Sequence, residues 1–179
     1  MSETENKARE KRITELIGDL KSRNERKIIG ALNRIPHEGN SKMIEPLFDL
    51  YLQNQSHEVI MLLEKTIHNL KDPACVAPMV GILSNQEKKE LHQNVLNAAW
   101  QSGLELTDHL NLLIDVAIMG DYMTAVEVMT VVENQEFVDD DAITDAIKVM
   151  DKVVEKKNDK QSLMVTLRQI LLDKLLGQS

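Results

Sequence analysis

Apolar residues in this chain recur with a period of thirty-odd positions, and that recurrence restricts its fold more than any other feature. Five segments match the helical spacing i, i+3, i+4, i+7: Ile13/Leu16/Ile17/Leu20, Ile44/Leu47/Phe48/Tyr51, Val76/Met79/Val80/Leu83, Leu110/Leu113/Ile114/Ala117 and Ile143/Ala146/Ile147/Met150. Their first members lie 31, 32, 34 and 33 residues apart. A second series falls between them. Ile28/Ala31/Leu32/Ile35 and Ala125/Val128/Met129/Val132 fit fully, Ile60/Leu63/Ile67/Leu70 has Glu64 at the odd position, and Leu163/Thr166/Leu167/Ile170 has one polar member. For the middle segment the residues leave two faces open, Leu91/Val95/Ala98/Ser102 or Leu96/Ala99/Trp100/Gly103. A helical pair of about thirty residues cannot cover its own apolar stripe, so successive pairs stack and bury one another's. The expectation is an all-α chain of ten helices in five pairs, at about 5–36, 41–70, 72–103, 107–134 and 139–177, in a single domain with no linker.

Composition agrees. Seven glycines, four prolines and 3% aromatic residues leave few turn formers for a β-rich fold, while 42% apolar residues in 179 are enough for a core. One cysteine excludes a disulfide framework. Ser41, Asp72 followed by Pro73, Thr107 and one of Asp139, Asp140 and Asp141 are placed to cap first helices. Breakers fall at Pro36-His37-Glu38-Gly39-Asn40, Asn54-Gln55-Ser56, Ser84-Asn85, Gly103, Gly120-Asp121 and Asn158-Asp159. The first helix is dense in Lys, Arg and Glu from Glu5 to Arg12, as an outer helix should be. At the other end Leu171, Leu172, Leu175 and Leu176 widen the last apolar face, which reads either as a cap folded onto the preceding helix or as a homodimer surface.

These residues resemble the HEAT-like helical repeat family, in its short bacterial form. The clearest stretch is Lys71-Asp72-Pro73-Ala74-Cys75-Val76-Ala77-Pro78-Met79-Val80-Gly81-Ile82-Leu83, with an Asp-Pro start and an apolar first helix. Pro46 and Pro78 share one register, 32 apart, beyond the first turn, where proline removes a hydrogen bond and bends a helix. The resemblance implies a right-handed α-solenoid of about five stacked helical hairpins. The chain departs from the family in the turns within pairs, Gln53-Asn54-Gln55-Ser56 and Ser84-Asn85-Gln86, and in lacking a recurrent Arg at the start of second helices. A tetratricopeptide pattern needs small and aromatic residues at fixed places, and two Phe, two Tyr and one Trp do not supply it.

No catalytic, cofactor or metal constellation emerges. Cys75 has no histidine nearby in sequence and reads as a small core residue. His57 and His68 are two of the three or four ligands a zinc site needs. Asp139-Asp140-Asp141 is not followed by the glycine and terminal glutamate of a calcium loop, so helix capping accounts for it. A HEAT-like DNA glycosylase would need basic residues for phosphates and aromatics for the base. The net charge of −8 speaks against that alternative and against nucleic acid as a partner; nothing demands the tetrapyrrole of a HEAT-like lyase.

Charge is the one feature beyond scaffold. Residues 101–150 hold eleven acidic residues and a single basic one, Lys148, and residues 102–147 contain no Lys or Arg. No apolar run reaches the roughly 18–20 residues of a membrane span, and Met1 to Arg12 is charged, without a secretory core. The acidic run reads either as solvated surface or as the site of a basic partner; the expectation is a non-enzymatic, cytoplasmic interaction module, whose partner on the second reading is a basic protein or peptide. Trp100, Asp121, Glu127, Glu133, Glu136, Asp139, Asp140 and Asp141 are the candidate partner surface.

Overall fold

The amphipathic spacing becomes helix wherever a polar side chain can start it. In a computed structural model describing residues 3–53, 55–137, 139–155 and 159–177, every regular element is helical. The α-helices are α1 (Glu3–Leu20), α2 (Glu25–Glu38), α3 (Ile44–Asp49), α4 (His57–His68), α5 (Val76–Leu83), α6 (His92–Ser102), α7 (Leu110–Met119), α8 (Tyr122–Asn134), α9 (Asp140–Val154) and α10 (Gln161–Leu175). Asn54 and Asn158, assigned to turns from the sequence, lie outside the described residues.

Capping explains most of the starts. Asn24, Ser56, Asn85 and Asp121 accept from main-chain N–H groups of the first turns of α2, α4, the 3-10 segment Gln86–Leu91 and α8. Asp72 accepts from the Ala74 N–H with Pro73 at the first helical position, and Asp139 accepts from Asp141 and Ala142. Two expected caps differ. Asn40, whose backbone is extended, accepts from Lys42, while Ser41 already lies inside a 3-10 turn. Thr107 is likewise inside a 3-10 turn, and the preceding Leu106 N–H donates instead to the buried Gln135 Oε1 at 2.7 Å.

Prolines and glycines set where regular helix stops. Pro46 and Pro78 each follow by three residues a 3-10 turn, Ser41–Met43 and Pro73–Cys75. A proline ring clashes with the carbonyl four residues back, so regular α geometry cannot run through these points unchanged. Pro36 does not end α2, which continues to Glu38 under the paired Arg34–Glu38 hydrogen bonds of 3.1 and 2.8 Å. The stop is Gly39. Its N–H donates to the Ile35 carbonyl at 2.9 Å, and a Cβ there would meet that oxygen at 2.8 Å. Gly120 closes α7 the same way: its N–H donates to Val116 O at 2.8 Å, and a Cβ would meet Thr124 Cγ2 at 2.7 Å. Each glycine is followed at once by the next cap, Asn40 or Asp121, so a two-residue corner serves both helices.

By its contacts the chain divides into two compact units. The first runs to Ile82 and takes in Gln101–Leu104; the second comprises Leu83–Trp100 and the chain from Glu105. In the first, α1 packs on α2 and α3, and α2 packs on α4. In the second, α7 packs on α8 and α9, while α10 packs on α8 and α9. Within each unit, then, first helices touch first helices and second helices touch second helices. Leu16, Leu20, Leu32, Ile44, Leu47, Phe48 and Leu63 are fully buried in the first core; Leu113, Val128, Val132, Ile143, Met150, Leu167 and Leu171 are fully buried in the second.

Some faces are rotated from those read off the sequence. α4 buries Val59, Leu63, Thr66 and Ile67, leaving Ile60 and Leu70 half-buried. Around α5 the buried row is Cys75, Met79, Ile82 and Leu83, with Val76 and Val80 half-buried. α10 buries Leu163, Met164, Leu167 and Leu171, leaving Thr166 exposed. α6 uses both of its possible faces: Leu91, Val95, Ala98 and Ser102 are buried together with Leu96 and Ala99, whereas Trp100 is half-buried and Gly103 exposed.

Candidate functional site

The excess negative charge belongs to one unit. The first unit carries twelve Lys or Arg and twelve Asp or Glu; the second carries nine and seventeen, which is the whole net charge of −8. All eight candidate surface residues are in this second unit.

They do not form one cluster. α8, thirteen residues and about 20 Å long, separates two groups. Asp121 caps its N-terminus, whereas Glu133, Glu136, Asp139, Asp140 and Asp141 are exposed around the turn that joins its C-terminus to α9. In mid-helix the half-buried Trp100 of α6 donates its indole N–H to Glu127 Oε2 at 3.0 Å, tying those two residues together. Asp140 and Asp141 lie in the first turn of α9, where the helix dipole favours negative charge.

Asp121 Oδ1 accepts from the Thr124 N–H at 2.8 Å. That bond, with a second from the Thr124 side chain and the nearby Lys160 ammonium, holds the carboxyl below its ordinary value. A lowered folded-state value means its contribution is present above the ordinary carboxylate range and is lost as pH falls through the folded value. Asp121→Ala is therefore expected to cost about 1 kcal/mol at neutral pH. Urea titrations of both proteins should show that gap closing on acidification towards pH 3.

Several basic residues of the second unit are turned onto the main chain or onto neighbouring acids. Lys160, half-buried at the start of α10, donates to the carbonyls of Ala117, Ile118 and Gly120 at 3.0, 2.8 and 2.6 Å. These are orphan carbonyls at the negative end of α7, where a cation is favoured. Lys174 likewise donates to Glu133 O at 3.2 Å near the end of α8, and Arg168 pairs with Asp151 at 2.6 Å. Lys160 and Lys174 thus sit on helix ends, Lys148 and Arg168 pair with Asp145 and Asp151 of α9, and the unit still holds eight more carboxylates than Lys and Arg.

Two features were not found by sequence reasoning. A cleft of about 420 Å³ opens beside the α7–α8 corner, walled by Val116, Thr124 and the buried His92, with Gln86, Lys89 and Glu90 at its rim. His92 holds its Nε2 3.3 Å from the Asn85 carbonyl. At the same corner Met119, Tyr122 and Met123 are 60%, 46% and 48% exposed. In sequence Met119 adjoins the Leu110/Leu113/Ile114/Ala117 stripe and Tyr122 and Met123 adjoin the start of the α8 stripe, so their exposure is set by tertiary packing. The expected leucine surface is reduced, because Leu171 is fully buried, Leu172 and Leu175 are half-buried, and only Leu176 is well exposed.

Cys75 is buried, and burial first, then the nearby Asp72 carboxylate, pushes its thiol up to about 11, so it stays protonated at neutral pH. Among the described residues no group of three His, Cys, Asp or Glu is placed to hold a metal ion, and no helix is long and apolar enough to cross a membrane. No family model matches the chain, and neither a curated protein nor a solved structure matches it.

Proposed function

We propose that the chain is a non-enzymatic helical-repeat scaffold of the HEAT-like kind, built from about five stacked pairs, whose second unit binds a basic protein or peptide in the cytoplasm. The observation that carries this reading is the concentration of the net charge of −8 in one unit, where Lys160 and Lys174 are committed to helix ends. Self-repulsion among exposed carboxylates on a folded surface opposes compaction, and a basic partner relieves it. The scaffold half of the reading is supported by the packing within each unit, first helix on first and second on second, which is how repeat proteins bury the stripe a single pair leaves open.

Calorimetric titration with oligolysine tests the proposal. Binding is expected at low salt and should weaken about tenfold or more at several hundred millimolar salt, because exposed charges are screened beyond a few ångströms there. Asp139→Asn, Asp140→Asn and Asp141→Asn together should weaken it further. An affinity that ignores both salt and these substitutions excludes the acidic-surface mechanism.

A further inference from the structure

The described residues include eight large apolar side chains that are exposed, and three of them, Met119, Tyr122 and Met123, fall within five consecutive positions. They crown the Gly120–Asp121 corner, whose backbone is fixed by the Gly120 N–H bond to Val116 and by the Asp121 cap on Thr124. The patch is thus presented on a rigid turn. The cleft of about 420 Å³ lies directly beside it and shares Met119, Gly120 and Asp121 as lining, a size within the range that accepts ligand groups or side chains, about 300–1,000 Å³. Methionines are unbranched and polarizable, and they suit surfaces that adapt to an apolar guest.

The charge around the patch selects the guest. Asp115 is exposed one helical turn before Met119, Asp121 sits inside the patch, and Glu127 lies one turn after Met123. Lys89 and Glu90 at the opposite rim offset each other, and Lys160, anchored on three carbonyls near Asp121, offsets part of that one carboxylate, which leaves Asp115 and Glu127 as the excess. The second unit of another copy is a poor occupant, since it would bring one net charge of −8 against another, and the first unit, with equal numbers of acids and bases, offers no net positive charge. Nucleic acid has the wrong sign.

We propose that the α7–α8 corner is a docking surface for a basic amphipathic segment of a partner protein, whose apolar side chains cover Met119, Tyr122 and Met123 and enter the cleft while its Lys and Arg residues meet Asp115, Asp121 and Glu127. This rests on the acidic-surface reading and adds to it an apolar anchor and a place. Electrostatics brings the segment in, and burial of the methionines and tyrosine holds it.

The test uses the full chain and two labelled synthetic peptides of equal charge, oligolysine and a helical peptide with lysines on one face and leucines on the other. Fluorescence anisotropy at near-physiological salt should give at least about tenfold tighter binding for the amphipathic peptide, the size of effect one good apolar anchor supplies. The variant M119S/Y122S/M123S should bring its affinity down to that of oligolysine, whereas L52S/M61S, at exposed apolar positions of the first unit, should leave it unchanged. Circular dichroism checks that both variants keep the helical fold. If the amphipathic peptide binds M119S/Y122S/M123S as tightly as the parent while oligolysine still binds, the docking surface is refuted and the acidic reading stands. If neither peptide binds the parent even at low salt, the acidic reading falls and takes this inference with it.

Discussion

Replacing Phe48 by Ala should lower the unfolding free energy by about 3–5 kcal/mol, measured by urea titration followed by circular dichroism. Phe48 of α3 is fully buried, as are Ile44, Leu47 and Leu50 beside it in the chain, and its ring centroid lies 6.2 Å from that of Tyr51. Proteins rarely exceed about 15 kcal/mol of total stability, so such a loss removes a large share of what holds the first unit together. The cavity it leaves cannot collapse easily, because α3 is short and fixed on both sides by 3-10 turns, Ser41–Met43 and Leu50–Leu52. Hydrogen exchange should quicken first in α1 to α4. A loss below about 1 kcal/mol would mean that α3 does not pack as described.

Lys160→Met should cost about 3 kcal/mol, less than three charge-assisted hydrogen bonds add up to, since water can partly replace the ammonium at a half-buried helix end. The side chain keeps its length and apolar stem, so the loss reports what the ammonium does, the bonds to Ala117, Ile118 and Gly120 together with its attraction to Asp121. Trp100 is the one tryptophan in the chain and lies in the same unit, so its fluorescence reports the unfolding directly. Lys152→Met, at an exposed position of α9, is the control and should stay within about 0.5 kcal/mol of the parent. Equal effects of the two substitutions would remove the special role of Lys160.

Periodicity made the helices legible where one face is apolar and the other is not. Ile28, Ala31, Leu32 and Ile35 of α2, and Leu110, Leu113, Ile114 and Ala117 of α7, are all buried. It failed where apolar residues run round the whole helix: in Val76–Leu83 nearly every side chain is apolar, so several stripes fit and packing chose a different row. α6, with two fitting stripes, buries both. Caps were read one residue late at Ser41, because a cap depends on the extended backbone of Asn40 as well as on a polar side chain. The acidic character of the second unit was plain from composition alone. The exposure of Met119, Tyr122 and Met123 was not, since an apolar residue next to a stripe counts towards the core until tertiary packing passes it over. Lys160 was invisible for a related reason: its three acceptors lie 40 to 43 residues away in the chain.

The central claim is that basic ligands bind the second unit and leave the first alone. Nuclear magnetic resonance of the nitrogen-15-labelled protein, titrated with oligolysine at low salt, tests it residue by residue. The account predicts amide shifts concentrated between residues 105 and 147, around the exposed carboxylates of α7, α8 and α9. Shifts concentrated in α1 to α4, or spread evenly over both units, would contradict it.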